Sequence, residues 1–180
     1  MIHIPTLESD RLILRPCEIE DADMVQQLAC EKEIAEMTLN VPHPYPQGAA
    51  LQWIQLHQSL AEKGIYEFAI VDKNTNTFIG ATHLNASTNY SRGELAYWIG
   101  KPYWRNGFGT EAAKRLVQFG LEDLKLNKVY GTAYVHNEAS QKVLQNAGLK
   151  YEGTLKKHVS RDGQFYDLAY YGILAEDYTT

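Results

Sequence analysis

Trp98-Ile-Gly-Lys-Pro-Tyr-Trp-Arg-Asn-Gly107-Phe-Gly109-Thr-Glu-Ala112 is the stretch that decides the fold. It reads as the end of a strand, a glycine-bearing turn and the start of a helix. Gly107 and Gly109 let backbone amides approach a ligand that a Cβ would hold off. Behind them Thr110 and Glu111 open an amphipathic run whose residues Ala113, Leu116, Val117, Gly120, Leu121 and Leu124 fall on one helical stripe. A helix N-terminus behind such a turn presents unpaired N–H groups and the positive end of a dipole, which together hold phosphate. The stretch is a candidate pyrophosphate cradle, and the first question is whose pyrophosphate it holds.

Three answers compete. A P-loop needs Gly-x-x-x-x-Gly-Lys-Ser/Thr, and the chain has no such string. The dinucleotide fingerprint Gly-x-Gly-x-x-Gly/Ala is matched by Gly107-Phe-Gly109-Thr-Glu-Ala112, but its context fails. An acidic residue should close the next strand roughly 20 residues on. Here that strand, Lys128 to Val135, closes on His136-Asn137, and too little chain follows for a doubly wound sheet. The third answer is coenzyme A. Tyr103-Trp104-Arg105-Asn106-Gly107-Phe108-Gly109-Thr110-Glu111-Ala112 resembles the turn of the GNAT family of N-acetyltransferases, in the form Tyr/Phe-Trp-x-x-Gly-x-Ala/Gly-Thr-Glu-Ala of its RimJ/RimL-type branch, which acetylates ribosomal-protein N-termini. The general family pattern is Gln/Arg-x-x-Gly-x-Gly/Ala, and this chain departs from it by placing Trp104 at the first position. An ordinary glycine-containing strand–helix turn is the alternative.

Composition sets bounds. The 180 residues suit one domain, 1–180, with a real core. Charged residues make up 22% and apolar ones 44%, ordinary for a globular chain, and the net charge of −5 argues against a general nucleic-acid or anionic-membrane binder. Cys17 and Cys30 are too few and too far apart for a disulfide framework or a Cys-x-x-Cys site, and read as a buried pair of thiols in a reducing compartment. The six histidines show no metal-ligand spacing, so no metal is expected. Met1-Ile-His-Ile-Pro lacks the basic and apolar pattern of a signal peptide, and no apolar run reaches bilayer length. The expectation is a cytoplasmic protein, monomer or homodimer.

Outward from the cradle, the chain alternates strand and helix signals. Leu12 to Leu14, between Arg11 and Arg15, is a short strand closed by Pro16, and this opening also resembles the RimJ/RimL-type start. Asp21 to Ala29 reads as a helix with acidic residues in its first turn. Glu31 to Pro46, with prolines at 42, 44 and 46, reads as a stiff loop. Gln47 to Lys63 is an amphipathic helix ended by Gly64, with His57 on its apolar face as a packed residue rather than a catalyst. Tyr66–Val71 and Thr77–Leu84 form a hairpin, and Arg92–Ile99 leads into the cradle with Glu94, Ala96 and Trp98 on one face. A strand over 129–135, a helix over 139–147 and a hairpin about Arg161-Asp162-Gly163 complete the order. The result is a mixed α/β arrangement on a largely antiparallel sheet, about seven strands and about four helices with one βαβ unit at the cradle. This order resembles the GNAT fold, whose sheet is splayed at the acetyl-CoA site.

A second stretch, Asn137-Glu-Ala-Ser140-Gln-Lys-Val-Leu144-Gln-Asn-Ala-Gly148, resembles the family segment Asn-x-x-Ser-x-x-x-Leu-x-x-x-Gly. The resemblance implies an acetyl-CoA-dependent N-acetyltransferase that moves acetyl directly to a primary amine, with a protein N-terminal α-amine as the first choice. A small amine such as an antibiotic or polyamine, and a non-catalytic acyl-CoA-binding module, are the alternatives. It implies cofactor contacts from Tyr97, Trp98, Ile99, Trp104, Arg105, Asn106, Gly107, Phe108, Gly109, Thr110, Asn137 and Ser140. Many members protonate the departing thiolate with a tyrosine where this chain has Leu144, so the resemblance points to Ser140 instead. Asn137 and Ser140 also suit a helix N-cap and its first turn. Glu94 is the preferred base, with a salt-bridge role as its alternative; His83 and then Asp167 follow. Tyr166, Tyr170 and Tyr171 are candidate acceptor-pocket residues, as are the loops Glu31–Pro46 and Ser87–Arg92.

Overall fold

The computed structural model describes residues 4–179; Met1-Ile-His, read above as lacking a leader pattern, lies outside them. Its strands are β1 (Leu7–Glu8), β2 (Leu12–Arg15), β3 (Ile65–Asp72), β4 (Thr77–Ser87), β5 (Arg92–Ile99), β6 (Lys128–Tyr134), β7 (Lys150–Arg161) and β8 (Gln164–Leu174). Its α-helices are α1 (Ala22–Ala29), α2 (Lys32–Met37), α3 (Ala49–Gln58), α4 (Phe108–Gln118) and α5 (Glu138–Asn146). The strands form one sheet in the order β1-β2-β3-β4-β5-β6-β8-β7. Every neighbouring pair is antiparallel except β5 and β6, which α4 connects by a crossover.

That parallel pair is short. It holds Arg92 to Lys128, Gly93 to Val129 and Glu94 to Tyr130, and no further. Beyond Glu94 the strands diverge, so the peptide groups of residues 95–99 that point away from β4 meet no neighbouring strand. This is the splay expected at the cofactor site.

Two apolar clusters lie on opposite faces of the sheet. Phe68, Ile70, Leu84 and Leu95 meet Leu116 of α4 and Leu144 of α5, while Ala69, Val71, Phe78 and Ala81 meet Val25, Leu28 and Ile54 of α1 and α3. Period-two alternation along β3, β4 and β5 sends successive residues to these two faces. Glu67, His83, Glu94, Ala96 and Trp98 therefore all face the α1–α3 side, where they line one cavity.

The architecture departs from the sequence expectation in three places. β1 is a two-residue strand, too short for any pattern. Lys32–Met37 is a helix inside the segment read as loop; it buries Ile34 and Ala35 but is too brief for helical periodicity to register. The cradle helix is α-helical only to Gln118 and continues as a π turn over Phe119–Asp123. A Cβ on Gly120 would lie 2.6 Å from Val129 Cγ2, so the chain there is pressed against β6. At the other end of the sheet Asp162 and Gly163, at φ 50° and 77°, make the tight hairpin turn that Asp-Gly favours.

Candidate active site

The cradle is a backbone device held by an unexpected clamp. Gly107 is the N-cap of α4 at φ 79°, and no side chain caps the helix. The first N–H groups of α4 therefore remain available to an anion. The two glycines do different work. Gly107 supplies the left-handed turn, whereas Gly109 is buried, with its Cβ direction 3.0 Å from the Tyr97 ring. Gly109 thus makes room for a tyrosine rather than for a ligand. Trp104 Nε1 donates to the Ile99 carbonyl at 2.6 Å, and Asn106 Nδ2 donates to the carbonyls of Tyr103 and Trp104. Both side chains shape the turn, while Trp104, Arg105, Asn106 and Gly107 are exposed on it; Phe108 is half-buried under the Arg11 guanidinium, 4.6 Å from its ring centroid, and Thr110 is half-buried in the first helical turn. From β2 side, Arg11 Nε and Ser9 Oγ each donate to the Glu111 carboxylate at 2.7 Å, and Arg11 Nη1 reaches the Asn106 carbonyl. Burial works against the Glu111 charge, but these donors hold its carboxyl below the ordinary range. An uncapped helix end on a braced, exposed turn fits the diphosphate of coenzyme A.

Past the turn, the splay opens toward α5. Asn137 is the N-cap of α5: its Oδ1 accepts from the Ser140 amide at 3.1 Å, and its Nδ2 reaches the Met37 carbonyl at 3.5 Å. The capping role is thus occupied, and the same side chain ties α5 to the segment after α2. Ser140 Oγ accepts from the Tyr97 hydroxyl at 3.3 Å. Burial pushes that phenol up to about 12, so it keeps its proton behind the serine. The sequence reading gave Tyr97 only a backbone role. Its ring reaches Ser140 because it points to the helix face, opposite to Glu94.

Through the gap between β5 and β6 runs a cavity of about 710 Å³, from Tyr97 and Ser140 on the helix face to Trp98, Glu94, Glu67 and His57 on the other. Its lid is the segment 37–46, and Arg161 at the β7–β8 turn holds that lid by donating to the carbonyls of Ala35, Thr38 and Val41. Glu94 is half-buried; burial raises its carboxyl, and Tyr130 Oη donates to it at 3.4 Å. His83 also lines the cavity, pushed down to about 4 by burial. Neither Asp167 nor the late tyrosines line it. Asp167 accepts the Lys157 amide at 2.7 Å, Tyr170 stacks on Tyr130, Tyr166 meets Tyr134 edge-on, and Tyr171 is buried on the helix side with its hydroxyl on Gln141. The loop 87–92 lies at the opposite end of β5 from the cradle, where Ser91 pairs with Asn127. Cys17 is buried but Cys30 is exposed, so the thiols are not a buried pair.

Two residues escaped the sequence reading. Glu67 is 4% exposed on β3 inside the cavity, with His83 Nδ1 and His57 Nε2 at 3.5 and 3.7 Å from its Oε2. His57, read as packing, is therefore part of a polar trio in which Glu67 is buried and both histidines are half-buried. The available signal was a charge inside the apolar run Tyr66-Glu67-Phe-Ala-Ile-Val71. Arg161 carried no signal, because its partners lie more than 100 residues away. Among the described residues, no group of three or more His, Cys, Asp or Glu is placed to hold a metal ion, and no helix is long and apolar enough to cross a membrane.

A mixed sheet splayed beside an anion cradle, with a carboxylate cavity behind the splay, defines an acyl-group transferase. Comparison with known proteins gives the family. Residues 11–150 match the acetyltransferase (GNAT) domain. The uncharacterized N-acetyltransferase YoaA of Bacillus subtilis is 30% identical over 94% of this chain and 97% of its own length, and the uncharacterized N-acetyltransferase p20 of Bacillus licheniformis is 29% identical over 96% and 98%. Among solved structures, Mycobacterium smegmatis RimJ in complex with a CoA disulfide superposes with a TM-score of 0.86 at 20% identity, covering 97% of this chain and 91% of that one. The chain belongs to the GNAT acetyltransferase family and is an N-acetyltransferase; enzymes of this family take acetyl from acetyl-CoA.

Proposed function

We propose that the 180-residue chain is a single catalytic domain that acetylates the α-amine of a peptide or protein N-terminus, with Glu94 as base and Ser140 as donor to the departing sulfur. The observation that carries this reading is the continuity of one cavity from Ser140 and Tyr97 to Glu94. The RimJ/RimL-type turn and the likeness to RimJ and RimL structures support the choice of acceptor over a small amine. A peptide α-amine has a pKa near 8, so a carboxylate of modestly raised pKa suffices to take its proton at neutral pH.

When bound, acetyl-CoA supplies a thioester carbonyl carbon as electrophile. The α4 amides and the Trp104–Gly107 turn hold its diphosphate end. The Tyr97 and Ile99 N–H groups, which point away from β4, line the gap, where an N–H donor aimed at a developing oxyanion contributes roughly 3 kcal/mol. Ser140 would donate a hydrogen bond to the departing thiolate, while the Tyr97 phenol, which keeps its own proton, donates to the Ser140 oxygen. Glu94 holds the amine proton, and Trp98 and the lid exclude water.

The test begins with thermal shifts in acetyl-CoA, CoA and NADH. A ligand at about a hundred times its Kd stabilises the fold by roughly 2.7 kcal/mol. Stabilisation by both CoA species but not NADH is expected, followed by mass-detected acetylation of peptide N-termini. No shift with CoA overturns the cofactor reading; acetylation of polyamines but not peptides overturns the acceptor.

A further inference from the structure

Glu67 sits deeper in the cavity than the reaction requires. It lies on β3, two strands from Glu94 on β5 and two residues along in register, a separation of about 12 Å at ordinary strand spacing and rise. It is a buried acid in an apolar strand, and both imidazoles beside it aim at one oxygen. Their 3.5 and 3.7 Å separations exceed ordinary hydrogen-bond length, so the trio is open to a further polar atom. All three side chains border the cavity, whose lining includes the apolar and aromatic residues Val25, Ala29, Tyr45, Trp53 and Trp98, with Asn85 of β4 registered beside Glu94.

Resting on the N-terminal reading above, we propose that Glu67, His57 and His83 form the floor of a specificity pocket. The acceptor's first side chain enters this pocket, and the floor hydrogen-bonds a neutral polar group at its tip. The chemical class is an α-amine whose first side chain has an aromatic or apolar stem and a hydroxyl or amide end, with tyrosine as the type case.

Length comes first. A side chain must cross about two strand spacings from the amine at Glu94 to reach Glu67, which tyrosine does and serine does not. Charge comes second. His57 Nδ1 lies 2.8 Å from the Trp53 carbonyl, which only accepts, so Nδ1 carries a hydrogen. In the neutral imidazole Nε2 is then an acceptor facing Glu67, and the matching partner is a protonated carboxyl. Burial favours that form of Glu67 and the neutral form of His83. A protonated Glu67 and a neutral His83 donate to and accept from a hydroxyl, and offer a second ammonium no standing anion.

The experiment compares kcat/KM for the peptides Tyr-Ala-Ala-Ala and Phe-Ala-Ala-Ala, with Ser- and Lys-initiated peptides beside them. The tyrosyl peptide should exceed the phenylalanyl one by at least about tenfold, since an unfilled buried hydrogen-bonding site costs that much. The ratio should fall toward one in Glu67→Leu and survive in Glu67→Gln, which keeps a neutral hydrogen-bonding end. Because each ratio is taken within one protein, a loss of folded fraction cancels; if Glu67→Leu yields no folded protein, His83→Leu replaces it. A wild-type ratio near one, an unchanged ratio in the leucine variant, or preference for the Ser or Lys peptide overturns the inference. If no peptide reacts, tyramine and phenethylamine carry the same comparison. A tenfold preference for tyramine then sustains the floor while overturning the N-terminal acceptor, and equal or absent turnover of both overturns the floor.

Discussion

The two halves of the site are built from different materials. The proposed cofactor half is made of backbone: an uncapped α4 terminus, a turn at Gly107 and the unpaired edge of β5. The acceptor half is made of side chains gathered from α3, β3, β4 and β5 under a lid pinned by Arg161. A backbone device needs one local stretch of the right conformations. A side-chain device needs remote residues brought to one point, so one substitution there alters chemistry without altering fold.

The sharpest way to break this contrast is Glu94→Gln. Loss of a general base costs typically 100-fold or more, so kcat should fall by about that factor with acetyl-CoA affinity unchanged, read by steady-state kinetics beside calorimetry. The acidic limb of the wild-type pH profile should lie above the ordinary carboxylate value of 4.5, because burial raises Glu94, and it should vanish in the variant. Weaker acetyl-CoA binding in Glu94→Gln would show that the halves are not separable.

Gly107→Val is the mirror experiment. A β-branched residue at φ 79° is strained, and acetyl-CoA Kd should rise by about tenfold, seen as a lost thermal shift. An unaltered Kd would mean that the turn is not the cradle.

Arg161→Ala probes how the lid is held. Three carbonyls lose one guanidinium, so acceptor KM should rise by roughly fivefold while acetyl-CoA KM stays constant, in keeping with the loss of charged hydrogen bonds partly replaced by water. A change in kcat alone would place the lid in the chemical step instead.

The smallest effect is on stability. The folded protein raises the Glu67 pKa above its unfolded value, so it binds the extra proton and loses stability as pH rises from about 4.5. Glu67→Gln removes that dependence. Its melting point should gain on the wild type as pH is raised from 4 to 8; a constant difference would mean that Glu67 is ionised without penalty.

How much of this was legible follows the same division. The turn from Tyr103 to Ala112 was readable because glycine positions, helix start and apolar stripe all lie within one local window. The face that Glu94 presents was readable because period-two alternation assigns strand faces, while its choice as base came from the family resemblance. The double duty of Gly109 was not, since only packing reveals that its missing Cβ seats Tyr97. The helix Lys32–Met37 was hidden because six residues are too few to show a period.

The sequence by itself determined the family, most of the order of the elements, the glycine turn before α4 and the faces of the strands. These depend on local conformational preference and short-range periodicity, which a linear string records. Only the tertiary structure decided that Glu67 lies between His57 and His83, that Tyr97 stands behind Ser140, and that Arg161 fastens the segment above the cavity. Those are through-space pairings between distant segments, fixed by strand register and helix docking. No residue's own neighbours in the chain encode them.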